Sequence, residues 1–81
     1  MKTELMGMVR LKILRAGSVG KLADTTSIDR AYLSRLARGL KENPSERVLD
    51  ELGIERVSYY VWKDPKDEPQ TEEECWLLLE D

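Results

Sequence analysis

The sequence predicts a mainly α-helical domain: a four-helix core with one β-strand and an acidic tail appended. Three observations predict it. Apolar residues recur at helical spacing through residues 4–54. Gly17, Ser18, Asp29, Gly39 and Gly53 punctuate those runs as stops and caps. The hydrophobic period then drops to two over residues 56–62, ahead of a stretch dominated by acids.

The first element covers residues 4–15. Leu5, Met8, Val9 and Ile13 approximate one helical face, and Gly17 stops it. Val9, Leu11 and Ile13 also alternate with Arg10 and Lys12 as a strand would, and Gly7 weakens a helix. The length of the run favours the helix. Ser18 is a good N-cap for the second element. Val19, Leu22, Ala23 and Thr26 follow at i, i+3, i+4 and i+7. Ile28 falls in a short connection, and Asp29 offers the next N-cap. Behind it, Leu33, Leu36, Ala37 and Leu40 predict an inward face that ends near Gly39. Asn43 followed by Pro44 predicts a cap with proline at the first helical position. Val48, Leu49 and Leu52 make that helix's inner face. Gly53 supplies its stop, and Ile54 packs back on its last turn.

Residues 56–62 are rich in β-branched and aromatic side chains, with Val57, Tyr59 and Val61 on one side. A lone strand has unpaired backbone groups and needs the tail, the first element or a copy of itself. Pairing with a two-fold mate makes an antiparallel ribbon and a homodimer, with Val57, Tyr59 and Val61 as dimerisation residues. An intrachain hairpin is the alternative. Residues 64–69 read as a loop or linker. Thr71 with Glu74 fits a capping box for a short terminal helix. The rival is a strand through 75–79 that pairs back on 57–62. Trp76, Leu77, Leu78 and Leu79 are too apolar for a free tail, so they dock on the body or bind a partner. The organisation is a helical domain at 1–54, a strand at 55–63 and an acidic tail at 64–81.

At 81 residues the chain holds one domain. Its core is thin, so a dimer partner would add stability. Hydrophobic residues at 41% and charged residues at 36% are a soluble globular balance. No apolar run approaches the roughly 18 residues of a membrane span, and no membrane partner is expected. The N-terminus carries Glu4 early and lacks a signal-peptide apolar core. Histidine is absent, which removes the usual general base and metal ligand. The single Cys75 forms neither an internal disulfide nor a cysteine zinc site. No enzyme, catalytic residue, cofactor or metal site is expected, and the expected location is cytoplasmic.

The net charge of -3 conceals an asymmetry. Residues 1–63 carry 12 Lys/Arg against 8 Asp/Glu, whereas 64–81 carry Lys66 against 8 acids. The basic body can face nucleic acid, whereas phosphate repels the tail.

Two short helices with a tight connection, followed by another helix, are the layout of a helix-turn-helix domain. The unit is residues 18–39. Ala23 is small where the second helix crosses the first. Leu22, Ile28, Leu33 and Leu36 form the wedge that fixes a steep angle and lets the second helix enter the major groove. Leu22 with Ala23, Ile28, the run AYLSRLARG at 31–39, Asn43 with Pro44, and VLDELGI at 48–54 carry a resemblance. They resemble the Cro- and phage-repressor-type helix-turn-helix family, also called the xenobiotic-response-element type.

The resemblance implies a lambda-repressor-like core and a small phage- or prophage-type repressor that binds double-stranded operator DNA. Ser18 and the start of the second helix would meet a phosphate. Asp29 would cap the recognition helix. Arg30, Ala31, Ser34 and Arg35 would face the groove, and Tyr32, Arg38, Lys41 and Asn43 would touch the DNA backbone. Two positions depart from the family. Ser27 stands where a turn glycine is usual, at a site of positive φ. Val19 stands where a polar residue is usual.

The residues themselves point the same way. With Leu33, Leu36, Ala37 and Leu40 inward, Arg30, Ser34, Arg35, Arg38 and Lys41 lie outward. Arginine reads guanine through a bidentate contact to O6 and N7, which makes Arg30 and Arg35 the candidates for base contact. Arg38 and Lys41 suit phosphate. The bland alternative is a solvated basic helix face, with Tyr32 on the core rim. A second function class is a protein-interaction module or antitoxin whose 57–79 segment binds a protein partner. The tail acids either aid solvation or compete with DNA for the basic face.

Overall fold

A computed structural model of the chain is mainly helical, with one small antiparallel sheet. The structure describes residues 5–40, 43–57 and 59–74. Among them, α1 spans Leu5–Ala16, α2 Val19–Thr26, α3 Arg30–Ala37 and α4 Glu46–Leu52. The strands β1, Ile54–Arg56, and β2, Tyr60–Trp62, follow, then a 3-10 turn at Pro65–Asp67. The expected terminal segment at 75–79 lies outside the described residues.

The helical reading of the first element holds. Met8 and Val9 are fully buried, and Leu5 and Ile13 pack against the same cluster. Leu11, which the expected face left out, is also fully buried. α1 is covered on more than one side: α2 and α3 pack on it, and the C-terminal segment binds its Lys12 and Arg15. The core joins Met8 and Val9 to Leu22, Ile28, Leu33, Leu36, Leu49, Leu52 and Ile54. Burial of each such leucine or isoleucine stabilises the fold by about 1.5–3 kcal/mol.

α4 starts later than the proline rule predicts. Its N-cap is Ser45, whose Oγ accepts from the Val48 N–H at 3.3 Å. Asn43 takes a left-handed conformation with φ 51°, and Pro44 is buried ahead of the cap. The Pro44 carbonyl accepts a hydrogen bond from the Arg56 guanidinium, which fixes the entry to the helix. Gly53, at φ 72°, ends α4 and turns the chain directly into β1.

The single strand expected over 56–62 is a hairpin folded within the chain. Ile54 pairs with Trp62, Glu55 with Val61 and Arg56 with Tyr60. Lys63 N–H donates to the Gly53 carbonyl and Val57 N–H to the Tyr59 carbonyl, both at 2.9 Å. The strand therefore has its mate in this chain, and the need for a two-fold copy to pair its backbone falls away. Ile54, Tyr60 and Trp62 face the core. Val57, Tyr59 and Val61 do share one side, but it is the outer one. Val57 is 56% and Tyr59 45% exposed, and Val61 is half-buried.

Of the two readings of 64–69, loop or linker, the structure shows a loop anchored on α1. Lys12 Nζ lies 3.1 Å from Asp67 Oδ1 and 5.6 Å from the Trp62 ring centroid. Arg15 Nη1 donates to the Asp67 carbonyl at 2.7 Å, and Nη2 to the Glu68 carbonyl at 2.9 Å. The expected Thr71 cap is present: Thr71 Oγ1 accepts from Glu74 N–H at 3.1 Å, and residues 72–74 are helical. The Glu74 carboxylate accepts from the Gln70 N–H at 2.8 Å and from Arg15. The Arg15 guanidinium, helped by the Gln70 N–H, lowers the Glu74 carboxyl to about 2. The same hydrogen bond raises the Arg15 pKa.

Candidate nucleic-acid interface

The α2–α3 pair is built from local hydrogen bonds. Ser18 is extended, and its Oγ accepts from the Lys21 N–H at 3.1 Å, capping α2. Thr26 is buried because its Oγ1 donates to the Leu22 carbonyl at 2.8 Å. Residues 27–29 connect the helices. Ser27 sits in the left-handed region, φ 60° and ψ 24°, and donates its N–H to the Ala23 carbonyl at 2.9 Å. Ile28 buries its side chain under the connection. Asp29 Oδ2 then accepts from the Tyr32 N–H at 3.1 Å and starts α3. Both expected caps are in place.

α3 sorts its residues cleanly. Leu33, Leu36 and Ala37 are buried. Arg30, Ala31, Arg35 and Arg38 are exposed, and Ser34 is half-buried. At 100° per residue, Arg30, Ser34, Arg38, Ala31 and Arg35 fall within roughly 140° of arc. None of Arg30, Arg35 and Arg38 forms a salt bridge with an acid among the described residues. Asp67 and Glu74 of the C-terminal segment engage Lys12 and Arg15 on α1 instead.

The C-terminal end of α3 departs from expectation at Leu40. Gly39 N–H donates to the Leu36 carbonyl at 3.2 Å, and Leu40 N–H to the Arg35 carbonyl at 2.9 Å. This is a Schellman turn with Gly39 at φ 73°. It carries Leu40 off the helical register, so Leu40 is 66% exposed rather than inward. Arg10 also ties this end to α1: its Nε donates to the Ala37 carbonyl at 2.7 Å. A cation at a helix C-terminus suits both its open carbonyls and its dipole. Sequence reasoning missed Arg10, since a lone arginine on an amphipathic helix carries no signal of its target.

The structure brings Ser18 and Arg30 together. A Cβ built on Gly20 would lie 3.8 Å from Arg30 Cδ, Arg30 Nη1 and Ser18 Oγ. The start of α2 and the start of α3 thus form one surface. Tyr32 is half-buried beside a cleft of about 250 Å³, lined also by Ile28, Asp29, Ser45, Arg47 and Val48. Asn43 is exposed ahead of α4. Lys41 lies outside the described residues. The hairpin residues Val57, Tyr59 and Val61 belong to the separate outer face described above.

No helix among the described residues is long and apolar enough to cross a membrane. No family model matches the chain, and no curated protein or solved structure matches it.

Proposed function

We propose that the chain is a sequence-specific DNA-binding regulator, a small Cro-like repressor of phage or prophage type. α2 and α3 act as the helix-turn-helix pair, and α3 enters the major groove. One observation carries the reading. α3 buries Leu33, Leu36 and Ala37 while Arg30, Arg35 and Arg38 stand exposed on one arc, free of acidic partners among the described residues.

Arg30 and Arg35, with Ala31 and Ser34, address base edges. Ser18, Tyr32, Arg38, Lys41 and Asn43 hold the DNA backbone. Phosphate contacts set register and supply the salt-dependent affinity, and base contacts supply choice. The protein occupies its operator and excludes polymerase. A two-fold operator needs two copies, and the exposed Val57 and Tyr59 offer an apolar surface for the second. The same surface suits the rival reading, a protein partner for 57–79. The anchoring of Asp67 and Glu74 on α1 favours a docked segment over a free binding tail.

The test is a pair of substitutions, each titrated against a selected duplex. Arg35→Ala is expected to cost about 1–3 kcal/mol and to relax preference at one base pair. Lys41→Ala is expected to weaken binding to all sequences alike and to reduce the salt slope by about 1. Unchanged affinity in both variants would show the groove assignment to be wrong.

A further inference from the structure

Gly20 is a glycine that its backbone does not require. It lies in the first turn of α2, outside the positive-φ glycines Gly17, Gly39 and Gly53. In a helix, glycine is about 1 kcal/mol less favourable than alanine. The space beside it is shared with the recognition-helix candidate. Arg30 Cδ and Nη1 both lie 3.8 Å from where a Cβ would stand. That distance is ordinary contact, so a methyl fits and merely touches the arginine. A longer side chain here would stand next to the Arg30 side chain and Ser18 Oγ. Arg30 is exposed, and its side chain lies beside the position that a Cβ at Gly20 would take.

We propose that Gly20 is a specificity-determining position: by leaving room at the start of α2, it sets the direction of the Arg30 guanidinium and hence its base preference. This rests on the DNA-binding reading. Gly20 is a positioning residue that acts through Arg30, without touching a base. A bidentate contact to guanine needs both donors in plane with O6 and N7, so a redirected guanidinium loses it.

The experiment selects from a random-sequence duplex pool with the full chain, in parallel for wild type, Gly20→Ala, Gly20→Leu and Arg30→Ala. Thermal melts accompany each variant. Both substitutions at position 20 replace glycine with a better helix former, so folding is expected to be retained or strengthened. Gly20→Ala is expected to select the wild-type site. Gly20→Leu is expected to lose or change preference at the base pair that Arg30→Ala affects, with about tenfold lower affinity for the wild-type site. Its preference elsewhere in the site, and its salt slope, are expected to stay unchanged. A wild-type profile from Gly20→Leu, alongside an altered profile from Arg30→Ala, overturns the proposal and leaves the DNA-binding reading standing. So does a wild-type profile from Arg30→Ala. If wild type itself enriches no motif, the DNA-binding reading fails, and the proposal with it.

Discussion

Arg15 and Glu74 meet through two parallel hydrogen bonds, Nε to Oε2 and Nη2 to Oε1, each 3.1 Å long. The same guanidinium donates to the carbonyls of Asp67 and Glu68. One side chain at the end of α1 thus holds both the 3-10 turn and the start of the last described helical turn. The planar fork of arginine makes this possible, and a lysine could not reproduce it.

The ion pair gives the fold a definite acid dependence. The Glu74 carboxyl is lowered from the ordinary 4.5 to about 2 by its bond to Arg15. A depressed carboxylate stabilises the folded state fully above the unfolded value and loses that contribution as pH falls toward the folded one. The expected window is therefore pH 4.5 down to 2. Thermal melts of wild type and Glu74→Gln should differ at pH 7 and converge across that window. A gap that stays constant down to pH 2 would show that the pair does not form in solution.

Ser27 occupies a left-handed conformation that glycine adopts without steric cost. Ser27→Gly is expected to stabilise the chain by about 1 kcal/mol, and Ser27→Val to destabilise it. Urea denaturation with an unchanged m-value provides the check.

Two leucines that share a sequence pattern are expected to behave differently. Leu33 is fully buried, and Leu33→Ala should cost about 2–5 kcal/mol. Leu40 is carried outward by the Gly39 turn, so Leu40→Ala should change stability by no more than about 0.5 kcal/mol. Equal losses in denaturation would place Leu40 back in the core.

These cases show what the sequence made legible. The caps at Ser18 and Asp29 and the stops at Gly39 and Gly53 rest on interactions within a few residues, and the burial of Leu22, Ile28, Leu33 and Leu36 follows the apolar pattern. Local pattern captures such interactions. The start of α4 was harder, because Asn43 and Ser45 are both good caps and Pro44 suits an N1 position. The buried seat of Pro44 and its bond to Arg56 decide between them, and neither is local. An intrachain hairpin is one of the sequence's alternatives, but its pairing within 54–62 is not legible, because no glycine, asparagine or proline interrupts that run. An unbroken alternation therefore read as one strand. The Arg15–Glu74 pair spans 59 positions, and no periodicity links two such residues. The outward arc of Arg30, Arg35 and Arg38 was legible, since it follows from where the leucines point. The nearness of Arg30 to the start of α2 required the coordinates.

The outer face of the hairpin bears on assembly. Tyr59→Lys replaces an exposed apolar side chain and is expected to leave thermal stability within about 0.5 kcal/mol. If the second copy docks there, sedimentation equilibrium should show wild type as a dimer and Tyr59→Lys as a monomer. Identical masses for the two proteins would remove this face from the account.

On the proposed function, α3 reads DNA sequence. The most direct measurement is selection from a random-sequence duplex pool by the full chain at two salt concentrations. Enrichment of a short palindrome is expected, with half-sites spaced by about 34 Å and affinity that falls as salt rises. Absence of binding at low salt, or salt-dependent binding with no enriched motif, would contradict the proposed function.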